Sequence, residues 1–137
     1  MLSFVRVRQH SLALLICRGL IRYNFVKRRP GVILRHPHYA IYGENYGLVG
    51  WIGCTRRNGA VFEVRHLTVM PEARGRGIGK AAVEFMIAKI KENGAVYCYA
   101  VIHEDNAASQ SLFLKCGFVL AREGYIRKYT KSLVEGL

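Results

Sequence analysis

The stretch from Glu63 to Lys80, Glu-Val-Arg-His-Leu-Thr-Val-Met-Pro-Glu-Ala-Arg-Gly-Arg-Gly-Ile-Gly-Lys, constrains this chain more than any other. A strand-like run stops at Pro71, and a glycine-rich turn then opens a helix. The first four N–H groups of a helix have no internal acceptor, and the helix dipole adds positive potential at that end. Gly75, Gly77 and Gly79 let a ligand approach the backbone closely, while Arg74, Arg76 and Lys80 add cations. Such a segment asks for a phosphate or pyrophosphate held by amides and arginines at a helix start.

Three phosphate-loop patterns compete for it. A Walker A loop fails, because Gly75 to Gly79 is one residue short and Ala81 stands where a hydroxyl would reach magnesium. The dinucleotide fingerprint fails on the spacing of the glycines and on Pro71-Glu72 between strand and loop. The pattern Arg/Gln-x-x-Gly-x-Gly/Ala is met by Arg74, Gly77 and Gly79. A second stretch, His103 to Phe118, has Asn106 as a helix N-cap, Leu112-Phe113 six and seven residues later, and Gly117-Phe118 at the helix end. On these two motifs, in this order and with room for one helix and one strand between them, residues 39–130 resemble the GNAT superfamily of N-acetyltransferases.

The rest of the chain reads as alternating strands and helices without repeats, linkers or low-complexity segments. Residues 3–8 alternate weakly as a first strand; Leu12, Leu15, Cys17, Leu20, Ile21 and Phe25 suggest helical turns that Pro30-Gly31 would break. Strands are expected at Tyr39–Tyr42, Gly47–Cys54 and Ala60–Val69, separated by Gly43–Tyr46 and by Arg56–Gly59, where Asn58-Gly59 is a hairpin signal. A helix over 77–93, a strand at Val96–Ile102, a helix at Asn106–Cys116 and a hairpin over 118–131 complete the order. The length suits one domain, residues 1–137.

The resemblance implies an α/β fold with a mixed, splayed central β-sheet flanked by helices, and a short N-terminal part. It implies transfer of an acetyl group from acetyl-CoA directly to a primary amine of a protein, a small molecule or an RNA-linked acceptor. In that frame Leu67, Thr68 and Val69 line the pantetheine arm with their backbone, the Leu67 N–H meeting the thioester carbonyl. Arg74, Gly75, Arg76, Gly77, Ile78, Gly79 and Lys80 hold the pyrophosphate, and Asn106, Ser109 and Phe113 lie beside the cofactor. Glu63 stands eleven residues before Arg74, the spacing of the catalytic glutamate in the histone acetyltransferase branch, and is the first choice of base. His66 is the second, because imidazole titrates near neutral pH. Successive strand residues face opposite sides, so Glu63 and His66 share a face only where a bulge intervenes. Phe113 departs from the family pattern, which often has a tyrosine there to protonate the leaving thiolate. Solvent, Ser109 or Tyr125 would have to replace it. The alternative reading is a non-catalytic CoA-binding or nucleic-acid-binding module on the same fold.

Charge sets the remaining expectations. The net charge is +12, and residues 1–43 hold eight of the 21 basic side chains (Arg6, Arg8, Arg18, Arg22, Lys27, Arg28, Arg29, Arg35) and no acidic one. A CoA ligand leaves this excess unused, so the acceptor is expected to be anionic, an acidic protein segment or nucleic acid. Cys17, Cys54, Cys98 and Cys116 are scattered without metal-ligand or redox spacing, so no metal is expected and a cytoplasmic setting is. The apolar run Leu12–Cys17 is too short to span a membrane, and the basic N-terminus is read as part of the fold rather than as a presequence. The closing hairpin is a candidate homodimer contact.

Overall fold

Strand runs bounded by turn residues form strands, and runs of helical spacing form helices. The computed structural model describes residues 1–45 and 47–134. Over these the chain forms β1 (Ser3–Arg6), α1 (His10–Gly19), a π-helical turn (Leu20–Asn24), α2 (Pro30–Arg35), β2 (His38–Tyr42), β3 (Leu48–Asn58) and β4 (Val61–Val69). A short 3₁₀ turn (Pro71–Ala73) leads to α3 (Ile78–Glu92), β5 (Tyr97–His103), α4 (Ala107–Lys115), β6 (Val119–Arg122) and β7 (Ile126–Ser132).

Two expectations change. Pro30 does not break the first helix, which has already ended at Asn24 with Phe25 in the left-handed region (φ 55°). Pro30 instead opens α2 at a first-turn position, where its fixed φ fits and its missing N–H would have had no partner. β3 runs on through Arg56 and Arg57 to Asn58, because these exposed residues still pair with β4 (Arg56↔Phe62, Asn58↔Val61). The expected break over Gly43–Tyr46 falls partly on Tyr46, outside the described residues; Gly43 N–H donates to Gly47 O at 2.9 Å.

The strands form one seven-stranded sheet in the order β1-β2-β3-β4-β5-β7-β6, antiparallel except for β4 and β5. Alternation along the central strands sends side chains to two apolar clusters. Ile52, Cys54, Phe62 and Val64 join α3 residues such as Ala82, Met86 and Ile90. Trp51 and Ala40 join Ala13, Ile16 and Leu20 of the α1 side, with Ile33 of α2. Each large aliphatic side chain so buried contributes about 1.5–3 kcal/mol. Neighbouring elements approach closely at glycines: a Cβ on Gly19 of α1 would stand 2.2 Å from the Trp51 ring of β3, and one on Gly50 of β3 would stand 2.1 Å from Thr68 O of β4. No helix among the described residues is long and apolar enough to cross a membrane.

Candidate active site

β4 and β5 pair only at Val61↔Tyr97, Phe62↔Cys98 and Glu63↔Tyr99. β4 nevertheless stays with β3 as far as Val69, and β5 stays with β7 as far as His103. Beyond Glu63 the sheet therefore opens into two halves, and the β5-facing side of β4 has no strand partner from Val64 to Val69. A polar side chain ties down each half. Asn24, the last residue of the π turn, donates from Nδ2 to Leu67 O (3.2 Å) and accepts from Thr68 Oγ1 (2.7 Å). Gln110 of α4 donates to Glu104 O (2.8 Å) and accepts from Tyr129 Oη (2.8 Å) and an Arg127 guanidinium N–H (2.9 Å).

The open end of the splay leads to the glycine-rich turn. Arg74 Nε donates to Val69 O at 2.9 Å and pins the turn to the end of β4. Gly75 and Gly77 lie in the left-handed region (φ 80° and 78°), where a side chain is strained. Gly77 is the N-cap of α3 and offers no side-chain cap, and the first helical bond is Ala81 N–H to Gly77 O. The N–H groups of Ile78, Gly79 and Lys80 precede that bond and have no helical acceptor. Arg74, Arg76 and Lys80 are exposed around them, whereas the Ile78 side chain is buried and presents only its backbone. Gly79 has a packing role as well: a Cβ there would stand 2.9 Å from Leu112 Cδ2 and 3.9 Å from Val69 Cγ2. One glycine thus brings β4, α3 and α4 together at the opening. The start of α4 differs, since Asn106 Oδ1 accepts from Ser109 N–H at 3.1 Å and caps its own helix. Ser109 is half-buried in the first turn. Phe113 is 3% exposed and lies edge-on to Phe118 in the core.

Glu63, Arg65, His66 and Thr68 occupy the other side of β4, toward α1 and α2. A bulge puts them there: between Trp51↔Thr68 and Gly53↔Arg65 the β4 strand holds one residue more than β3, and His66 takes φ 61°. Glu63 and His66, which regular alternation would separate, therefore share a face. Glu63 is 6% exposed and forms an ion pair with Arg57, whose Nε donates to Oε1 at 2.9 Å and whose Nη2 donates to the same oxygen. Glu63 is thus held by an arginine contact across the β3–β4 hairpin.

His66 is fixed by two other histidines. His38, fully buried, meets His36 O through Nδ1 (2.7 Å) and His66 Nδ1 through Nε2 (2.8 Å). A carbonyl only accepts, so Nδ1 of His38 carries its proton. Burial lowers the pKa of His38 to about 4, so the ring is neutral and its Nε2 accepts from the Nδ1–H of His66. His66 is left with a lone pair on Nε2, which is buried and has no partner among the described residues. Burial, followed by the nearby Arg65 charge, pushes the pKa of His66 down to about 2. The His38 ring has room only because its neighbour is glycine: a Cβ on Gly53 would stand 2.3 Å from His38 Nε2. Both His38 nitrogens and His66 Nδ1 are spent on one another and on His36 O, and among the described residues no group of three His, Cys, Asp or Glu side chains could hold a metal ion.

The family model for the acetyltransferase (GNAT) family matches residues 12–118, more than half of the chain. The chain belongs to the GNAT family. Solved structures of similar fold include a Klebsiella pneumoniae protein named as an acyl-CoA N-acyltransferase, 13% identical, with TM-score 0.82 over 98% of this chain and 99% of that one. A GNAT-family acetyltransferase of Staphylococcus aureus Mu50 is 14% identical, with TM-score 0.80 over 98% and 100% of the two chains. A spermidine/spermine N-acetyltransferase of Vibrio cholerae is 12% identical, with TM-score 0.79 over 96% and 93%. At these identities the structures report a shared fold, and the family match reports the class of enzyme: a GNAT acyltransferase.

In this GNAT chain the structure gathers Leu67–Val69, the Arg74–Lys80 turn and the first turns of α4 at one opening. It sets Glu63 and His66 together on the face of β4 toward α1 and α2. The sequence reading missed Asn24, His38 and Arg57. Arg57 had a signal: once Asn58-Gly59 is the hairpin turn, cross-strand counting brings it next to Glu63. Asn24 and His38 act on residues more than 25 positions away, and no local pattern marks them.

Proposed function

We propose that this GNAT chain uses acetyl-CoA to acetylate a primary amine by direct transfer, in a cytoplasmic setting. The observation that carries the reading is the splay of β4 and β5 opening onto an uncapped helix start ringed by Arg74, Arg76 and Lys80. An unpaired strand edge suits an amide-containing arm, and three unbonded N–H groups with three cations suit a pyrophosphate. Acetyl-CoA would supply a thioester carbonyl open to attack by an unprotonated amine.

The chain's residues divide the remaining work. Leu67–Val69 would line the pantetheine with backbone, the Leu67 N–H polarising the carbonyl. Arg74 to Lys80 would hold the pyrophosphate, with Asn106 and Ser109 at the start of α4 beside it. Glu63 would take the amine's proton, directly or through water, on Oε2, since Arg57 occupies Oε1. His66 is a poor base at a pKa of about 2, and its role here is that of a neutral, fixed neighbour. Phe113 carries no proton, so solvent would protonate the departing thiolate.

Calorimetry with acetyl-CoA tests the reading. Native protein should bind, and Gly77→Val should weaken binding by roughly tenfold or more, because a β-branched side chain at φ 78° distorts the turn. Arg76→Ala, which removes an exposed cation without strain, should weaken it less. Unchanged affinity in both variants would remove the cofactor from this turn.

A further inference from the structure

Arg65 is half-buried on the same face of β4 as Glu63, whose charge attracts it from nearby but makes no ion pair with it, so burial still lowers its pKa. Its Nε is buried without a hydrogen-bond partner, and among the described residues no ion pair forms to it. Glu63, the nearest carboxylate on that face, is committed to Arg57. Arg28, from the segment before α2, adds a second positive charge near Arg65 and His66. The three histidines do not compensate it, being neutral or repelled by it. Burying part of a guanidinium without a hydrogen-bonded anion costs free energy that an apolar side chain would not incur. An arginine kept in this state beside the reacting group points to an anion brought by the acceptor.

Spacing narrows the chemistry. Residues 63 and 65 lie two apart on one face of a strand, about 7 Å along its axis. A ligand whose amine reaches Glu63 therefore has its anionic group a few bonds away when that group reaches Arg65. We propose that the acyl acceptor is a small amine bearing a carboxylate or phosphonate close to its nitrogen, an amino-acid-type substrate, with Arg65 as its anion contact. The pairing also explains why Glu63 carries an arginine of its own. With Arg57 on Oε1, the carboxylate does not collapse onto Arg65, which stays open for the ligand.

This inference rests on the acetyltransferase reading, and its test separates the two. CoA thiol release is followed with acetyl-CoA and the proteinogenic amino acids, β-alanine and 2-aminoethylphosphonate. Each is set against an uncharged counterpart: the methyl ester, or the plain alkylamine. The ester's amine is less basic and more available unprotonated, so a preference for the acid reflects the site and not amine reactivity. At least one anionic amine should exceed its counterpart in kcat/KM by roughly tenfold or more. Arg65→Met should bring that ratio to within about twofold, while Arg65→Lys, which keeps the charge, should retain most of it. Acetyl-CoA affinity by calorimetry should be unaltered in both variants, which shows that they fold. Turnover of neutral or cationic amines with no preference for the anion, or an unchanged ratio in Arg65→Met, overturns this inference alone. No thiol release with any amine, together with no acetyl-CoA binding, overturns the acetyltransferase reading and this inference with it.

Discussion

The two faces of the central sheet are built differently. Under α3 the side chains of β3 and β4 are apolar, Ile52, Cys54, Phe62 and Val64, and they meet Ala82, Met86 and Ile90. On the opposite face β2, β3 and β4 bury His38, Thr55, Glu63 and Thr68, and the sheet is held there by polar contacts as well as by Trp51. Thr55 Oγ1 meets His36 Nδ1 (2.9 Å), His38 meets His66, Thr68 meets Asn24 and Glu63 meets Arg57. The α3 face gains from hydrophobic burial, which is insensitive to pH. The other face keeps ionisable groups out of water and gives up stability to do so, as the proposed catalytic role of Glu63 would require. The thiols do not share this division: burial raises the pKa of Cys98 in the α3 cluster to about 12 and also raises that of Cys17 in the opposite one, so both pack as apolar groups.

Substitutions on each face can break or sharpen the contrast. The largest effect belongs to Glu63→Gln, which should lower turnover by about 10²–10⁴-fold while leaving acetyl-CoA affinity unchanged. Arg57 is 47% exposed and stays solvated when its partner loses charge, so the fold should survive. Turnover and calorimetry on the same preparation check this, and a kcat near the native value would move the base role away from Glu63.

The next effect is a pH dependence of stability that only the polar face can produce. A histidine kept neutral in the folded chain and free to protonate in the unfolded one contributes stability above its unfolded pKa, and that contribution is lost as pH falls. For His38 the window runs from 6.5 down to about 4. Across it His38 alone should cost the fold about 3 kcal/mol, its share levelling off below its folded pKa, and His66 adds a loss over the same window. His66, shifted the same way, extends the loss to lower pH. Urea unfolding at stepped pH measures it, and a flat profile between pH 6.5 and 4 would mean that His38 is not held neutral.

Gly53→Ala comes third. Its Cβ would fall 2.3 Å from His38 Nε2, so the ring must shift at a cost of about 1–3 kcal/mol. The variant should also lose part of the pH dependence, because a displaced ring is better hydrated; denaturant titration at two pH values shows both. The smallest effect is the control on the other face. Ile90→Val removes one methylene from the α3 cluster and should cost about 0.5–1.5 kcal/mol with the pH profile intact. A pH profile altered by Ile90→Val would mean that the two faces are coupled.

The sequence by itself determined the order of strands and longer helices from β2 onward, the turn at Arg74–Lys80 and the caps at Asn106 and Gly117. Each is a local signal: a glycine where φ is positive, an asparagine whose oxygen meets an N–H three residues on, an apolar period that names a helix or a strand. Such signals act within a few residues, so they read correctly before any packing is known, and they were enough to name the family. Tertiary structure decided the polar contacts on the face of β4 toward α1 and α2. The bulge at His66, with its left-handed backbone, has no local mark, yet it puts Glu63 and His66 on one face. His38 reaches His66 across 28 positions and Asn24 reaches Thr68 across 44, contacts that exist only once β2, β3 and β4 lie side by side. Proton affinity follows the same logic. Burial and neighbouring charge set it, and both are properties of the assembled fold, so a sequence can offer a glutamate and a histidine as candidate bases but cannot say which one is left able to accept a proton.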